Sequence, residues 1–283
     1  MSARSATHLL ISCPDQPGIV ASVSRFLFEA GANIVEADQY ATKPEGGTFY
    51  MRMAFRLEGG SSNEFARRFE SDVAGPFGME WRLAYPDEPR RVAVLVSREE
   101  HCLLDLLWRA RRGDFESEIV QVISNHPDHE PDVAAFGVPY SHIPFDGDRS
   151  AAEEQMAELL AGKVELVVLA RYMRILSGDF LGRVAVPIIN IHHSFLPAFP
   201  GAEPYARAAE RGVKIIGATA HYVTEELDEG PIIEQDVARV SHRHSTEELA
   251  AIGRDIERIV LARAVRWHLQ DRVIVHENRT VVF

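Results

Sequence analysis

Three short apolar runs set the strongest limit on how this chain can fold. Val92–Val96 and Leu166–Ala170 carry no polar residue, and Ile119–Ile123 carries only Gln121. A strand wetted on one face alternates between apolar and polar residues, so an unbroken run predicts a strand buried on both faces. Helical stretches separate the runs, from Cys102 to about Arg112 and from Ala151 to Ala161. Strand alternating with helix predicts a parallel, doubly wound, Rossmann-like sheet. Such sheets bind ligands beyond the carboxyl ends of their strands. Asn125-His126, Arg171-Tyr172-Met173-Arg174 and Asn190-Ile191-His192 all follow apolar segments, so pattern alone gathers them on one edge. Further on, Ile215–Val223 and Ile232–Val240 read as paired strands. Thr246 to Leu269 reads as a closing helix with Ser245 or Thr246 as cap and Glu248 at the capping-box position, and Arg272–Phe283 as a final strand pair.

The first part of the chain has a different rhythm. Leu9–Cys13 reads as a strand and Pro14–Gly18 as a turn. A helix follows from Ile19 to Ala30, with Gly31 where a C-cap glycine belongs. Strands at Asn33–Thr42 and Thr48–Leu57, a helix at Glu64–Val73 and a strand at Met79–Ala84 complete the order β-α-β-β-α-β, a ferredoxin-like arrangement. Tyr85–Arg91 holds two prolines and four charges without periodicity, and reads as a linker. The predicted domains are therefore 1–86 and 87–283, an α/β chain throughout.

At 283 residues and 46% hydrophobic content the chain can fill two modest cores. Its net charge of -12 argues against a nucleic-acid partner. Cys13 and Cys102 are far apart and form no C-x-x-C pair, which predicts reduced thiols and a cytoplasmic location. No apolar run approaches the roughly 20 residues needed to span a bilayer, so no membrane partner is expected.

The chemistry concentrates in Asn190-Ile191-His192-His193-Ser194-Phe195-Leu196-Pro197, His221 and Leu227-Asp228-Glu229-Gly230-Pro231. Residues two apart on a strand point the same way, so Asn190 and His192 can converge. An amide can hold a developing oxyanion, an imidazole can pass a proton, and a carboxylate can orient water. Together they suit attack on a carbonyl carbon. His126, His129 and His142 have no recognisable ligand spacing and read as surface side chains, so no metal is predicted.

The same stretch, with Gly217-Ala218-Thr219-Ala220-His221 and Asp228-Glu229-Gly230-Pro231, resembles the formyltetrahydrofolate-dependent formyltransferase fold over roughly residues 90 to 283. Ala170–Leu176 resembles that family's folate-binding segment. Residues 7 to 85 resemble an ACT regulatory domain, with Asp15-Gln16-Pro17-Gly18 as its turn. ACT ahead of formyltransferase fold resembles the formyltetrahydrofolate deformylase family.

That resemblance implies hydrolysis of 10-formyltetrahydrofolate to formate and tetrahydrofolate, supplying formate for purine biosynthesis and balancing one-carbon pools. It implies catalysis by Asn190, His192 and Asp228. Arg171, Met173, Arg174, Leu176, His193, His221, Val223 and Thr224 would bind substrate. No cofactor is implied; the small-molecule partner is the folate itself. An amino-acid effector at Gly18 and Asn33, and a homo-oligomer, are implied by the ACT-like part. The alternatives are transfer of the formyl group to an amine acceptor and a non-catalytic folate or amino-acid sensor. Ser97-Arg98-Glu99-Glu100-His101 favours water over a phosphorylated acceptor. It stands where the transferases carry a glycine-rich phosphate loop, and it has no glycine and two carboxylates.

Overall fold

The computed structural model describes residues 6–43, 45–57, 61–85, 89–115, 117–145, 147–197 and 204–283; Pro44 and the linker residues Pro86 to Glu88 lie outside them. Two compact units result, one of residues 1–89 with 271–276 and 281–283, the other of 90–270 with 277–280.

The first unit contains β1 (Thr7–Pro14), α1 (Ile19–Glu29), β2 (Ala32–Ala41), β3 (Thr48–Leu57), α2 (Ser62–Phe69) and β4 (Glu80–Ala84). Its antiparallel sheet runs β2-β3-β1-β4, the ferredoxin-like arrangement. Ile19, Val23, Phe26 and Leu27 recur at helical spacing, so α1 buries one face. Phe26 meets Phe65 and Phe69 edge-on at 5.1 and 5.3 Å. The second helix outruns its expected end at Val73. It passes through a π turn, Glu70–Ala74, into a last turn, α3 (Gly75–Phe77). Gly78 at φ 61° ends it, and the Met79 N–H closes on the Ala74 carbonyl at 2.9 Å. Gly18, at φ 97°, immediately precedes α1. Asn33 is exposed on β2, opposite Arg56.

The tail departs from the linear division at 86/87, because residues 271–276 and 281–283 group with the first unit. The reason is ionic. The Asp271 carboxylate is fully enclosed, 3.1 Å from His8 Nδ1 and 2.8 Å from Arg82 Nη1. Its own carbonyl accepts from Arg52 Nε at 3.0 Å. Strands β12 (Val273–His276) and β13 (Arg279–Val282) follow as the expected pair.

In the second unit the elements are β5 (Arg90–Val96), α4 (His101–Arg112), β6 (Ser117–Ser124), α5 (Glu130–Ala134), β7 (Tyr140–His142), α6 (Arg149–Leu160), β8 (Leu166–Ala170), α7 (Gly178–Val184), β9 (Ile188–His192), α8 (Pro204–Arg211), β10 (Ile215–Tyr222), β11 (Ile232–Arg239) and α9 (Thr246–Leu269). The sheet order is β11-β10-β9-β8-β5-β6-β7. The strands from β9 to β7 are parallel, and β10 and β11 are antiparallel additions at one edge. Ala93 and Leu95 of β5 face one apolar layer with Val167, Leu169, Met156 and Phe180. The intervening Val92, Val94 and Val96 are buried as well, which is why the runs are unbroken. The short α5, β7, α7 and α8 leave little periodicity, and sequence reading passed over them. Ser245 and Glu248 form the predicted capping box at α9. No helix of the described residues is long and apolar enough to cross a membrane.

The chain winds from β5 through β6 to β7 in one direction and through β8 to β9 in the other. The winding therefore reverses between β5 and β8, where a crevice opens beyond the strand ends.

Candidate active site

The antiparallel pairing of β9 and β10 sets Asn190 opposite His221. The Asn190 amide nitrogen and His221 Nε2 are 3.2 Å apart. His221 Nδ1 donates to the Tyr222 carbonyl at 2.9 Å, so its Nε2 faces the site. Asp228 comes from the loop after β10. Its Oδ2 lies 3.3 Å from His192 Nδ1 and its Oδ1 3.7 Å from His221 Nε2. The second distance is too long for a hydrogen bond.

Local sequence explains how the loop reaches this point. Asp228 adopts a left-handed φ of 58°, which aspartate tolerates better than most residues. At Gly230 a Cβ would stand 1.8 Å from the Tyr222 carbonyl oxygen, so the backbones touch and only glycine fits. On the other side, Thr219 fixes the turn after His192: its hydroxyl donates to the Ser194 carbonyl at 2.9 Å and accepts from the Leu196 N–H at 3.1 Å. Gln235 adds bonds to the Leu196 carbonyl and to the same hydroxyl. The spaced motifs are thus one interlocked piece.

Asn190, His192, Asp228, Arg171, Met173, Arg174, Leu176, His193, His221, Val223 and Thr224 all line one cavity of about 280 Å³. Met173, Ile175 and Leu227 form an exposed apolar rim, while His192 and His193 are buried at the floor. Ser97 builds the crevice. Its hydroxyl donates to Asn125 Oδ1 at 2.7 Å and accepts from the Met173 N–H at 2.9 Å. Its own N–H reaches the Arg171 carbonyl and its carbonyl accepts from His129 Nε2. His129 is therefore a buried structural side chain, not the surface histidine its loop position suggested.

The charges are unequal in character. His192, foremost, and His221 hold the Asp228 carboxyl well below the usual carboxylate range. Asp228 is thus ionised, and its contact directs the His192 Nδ1 hydrogen toward it. Nε2 of His192 is buried and has no hydrogen-bond partner among the described residues. Burial, then the nearby Arg171 cation, lowers His193 to about 4, so it is neutral at physiological pH.

Behind His193 stands a group that sequence reasoning missed. Glu257 of α9 lies 2.8 Å from His101 Nε2, accepts from the Tyr205 hydroxyl at 2.6 Å, and lies 3.4 Å from Arg171 Nε. Burial works against the ionised carboxylate, but the His101 bond and the Arg171 charge outweigh it and lower its pKa. A Cβ on Gly253 would meet the Tyr205 hydroxyl at 2.0 Å. A mid-helix glycine costs roughly 1 kcal/mol relative to alanine; here it makes room for the phenol. That glycine is the one sequence signal that pointed to the group. His101, Cys102 and Glu257 also bring potential metal ligands within 4.8 Å of one another. Burial raises the Cys102 thiol well above its usual range, and Arg171 already holds the carboxylate, so a cation there would have to displace both a proton and a guanidinium.

The formyl transferase family model matches residues 90–265 and the ACT domain model residues 7–58. A formyltetrahydrofolate deformylase of Mycobacterium tuberculosis (strain CDC 1551 / Oshkosh) is 60% identical over 279 residues, covering 98% of this chain and 90% of the relative. Among solved structures, a formyltetrahydrofolate deformylase from Pseudomonas syringae pv. tomato superposes with a TM-score of 0.94 at 46% identity, covering 100% of this chain and 96% of that one. Glycinamide ribonucleotide transformylase 1 from Symbiobacterium toebii gives a TM-score of 0.65 at 34% identity, covering 69% of this chain and 94% of that one. The transformylase covers only about two thirds of this chain, whereas the deformylases cover nearly all of it. The chain belongs to the formyltetrahydrofolate deformylase family.

Proposed function

We infer that the protein hydrolyses 10-formyltetrahydrofolate to formate and tetrahydrofolate, with Asn190, His192 and Asp228 carrying the chemistry. The reading rests above all on the contact of the Asp228 carboxylate with His192 at 3.3 Å, beside the Asn190 amide in a single cavity. Asp228 orients the attacking water and takes its proton, directly or through His192. Water oxygen bonds to the formyl carbon, and the resulting oxyanion accepts hydrogen bonds from Asn190 and from His192 once its Nε2 carries a proton. One preorganised donor of this kind is worth roughly 2.7–4 kcal/mol of barrier. The carbon–N10 bond then breaks, N10 takes the proton the water gave up, and formate leaves. These steps ask for no metal or redox group.

The folate ring lies against Arg171–Leu176, with the backbone of Arg174 and Leu176 at its polar edge and Val223 to Asp228 closing over it. The apolar rim supports this placement. Released formate supplies purine biosynthesis. An amino-acid effector at the ACT domain near Gly18 and Asn33, pairing of those domains in a homo-oligomer, and a cytoplasmic location complete the reading; the ACT match supports the first two. The deciding measurement is formate release from 10-formyltetrahydrofolate with no acceptor present. Wild type turns over and Asp228→Ala does not. A folded wild type that binds the folate yet releases no formate overturns the reading.

A further inference from the structure

The group behind His193 is not needed for the steps above, yet the chain goes to some length to build it. Glu257 and Tyr205 meet inside the second unit, with His101 and Arg171 on the same carboxylate. Gly253 is kept small for Tyr205. Arg171 holds a left-handed φ of 62° that favours glycine. Its Nε and Nη1 are buried without hydrogen-bond partners among the described residues. An arginine under these constraints adds bulk and charge at a chosen place.

That place is the cavity wall beside the buried His193. Arg171 and His193 line it, whereas Tyr205, Glu257 and His101 do not. The His193 and Tyr205 rings are 6.4 Å apart, and the His192 and His193 rings 5.2 Å. His193 therefore lies between the catalytic histidine and Tyr205. In the reading above the folate takes the exposed side with Met173, Ile175 and Leu227, which leaves the His193 side for a second reactant. The fold alone does not dictate water, because it is shared with a glycinamide ribonucleotide transformylase.

We propose that His101, Arg171, Tyr205 and Glu257 form a plug that excludes amine acceptors and leaves water as the nucleophile that reaches the formyl carbon. Arg171 and Tyr205 determine specificity by occupying space, and Glu257 and His101 hold them there. Opening the plug lets an amine nitrogen bond to the formyl carbon. The carbon–N10 bond breaks, N10 takes the proton the amine loses, and an N-formyl amine is released in place of formate. This proposal rests on the hydrolase reading above.

The test supplies 10-formyltetrahydrofolate together with glycinamide, a small primary amine, and measures formate and N-formylglycinamide by mass spectrometry against an enzyme-free control. Arg171→Gly suits the left-handed backbone and leaves Glu257 bonded to His101 and Tyr205. Tyr205→Ala opens the other side of the same group. The full-length variants are expected to raise the ratio of N-formylglycinamide to formate by roughly ten-fold or more over wild type, the scale of discrimination that pocket shape supplies. A ratio unchanged in whichever of the two folds and turns over overturns the plug. Loss of all turnover in both, with folding intact, also overturns it, because the group is then part of the hydrolytic machinery. A wild type that releases no formate is a different failure and sinks the hydrolase reading instead.

Discussion

Asp271 in the first unit and Glu257 in the second are both carboxylates at 1% exposure. Asp271 is surrounded by His8, Arg82 and Arg52, and these ties bring the C-terminal tail into the first unit. Glu257 is bonded just as closely by His101 and Tyr205, but its third neighbour, Arg171, keeps two nitrogens without hydrogen-bond partners among the described residues and faces a cavity. A buried charge with its neighbours aligned on it serves architecture. A buried charge that holds a strained neighbour against a cavity serves the site. Asp228 stands between the two cases: it is half-buried, ionised, and aimed at an imidazole whose other nitrogen has no hydrogen-bond partner among the described residues.

The contrast is tested most severely at Asp228 itself. Asp228→Asn is expected to lower formate release by about 10²–10⁴-fold, the usual worth of a positioned acid–base group. Because the folded carboxyl has the lower pKa, the stability it contributes is present above about pH 4 and is lost as pH falls. The variant's deficit in urea unfolding should therefore shrink in acid. Asp271→Ala should do the reverse, costing about 3–5 kcal/mol, as expected when a buried ion cluster loses one member, while kcat stays near the wild-type value. A fall in kcat that exceeds the fall in stability would erase the distinction between the two carboxylates.

His193 gives a pH test. Its folded pKa of about 4 lies below the ordinary 6.5. The unfolded chain thus takes the proton first, and stability falls as pH drops from about 6.5 toward 4. The whole window is worth on the order of 3 kcal/mol at 1.36 kcal/mol per pH unit. His193→Asn should flatten that part of the stability curve; a slope identical to wild type would mean the imidazole is protonated in the fold. Smallest is Ser97→Ala, which removes a buried hydroxyl bonded to Asn125 and Met173. About 1–3 kcal/mol of stability should go with it, along with a rise in KM because the Arg171–Met173 turn loosens. An unchanged KM would show that the turn holds itself.

The sequence was most informative where a residue's job is local. The unbroken runs at Val92–Val96 and Leu166–Ala170 fix two central strands because both of their faces are covered. Ser245 and Glu248 mark the start of α9 because a capping box closes within four residues. Asn190 and His192 share a direction because a strand repeats every two residues. Gly230 belongs to its motif because its backbone touches Tyr222.

Tertiary structure decided what depends on residues far apart in the chain. No spacing rule links His101, Arg171, Tyr205 and Glu257, which come from four separate segments and meet because α4, α8 and α9 pack together. Nor does any linear pattern show Asp271 reaching His8, or Ser97 joining the ends of β5, β6 and β8. Periodicity and motifs record the demands of strands, caps and close turns. Pairing between distant side chains depends on where packing places them, and that is settled only when the core forms.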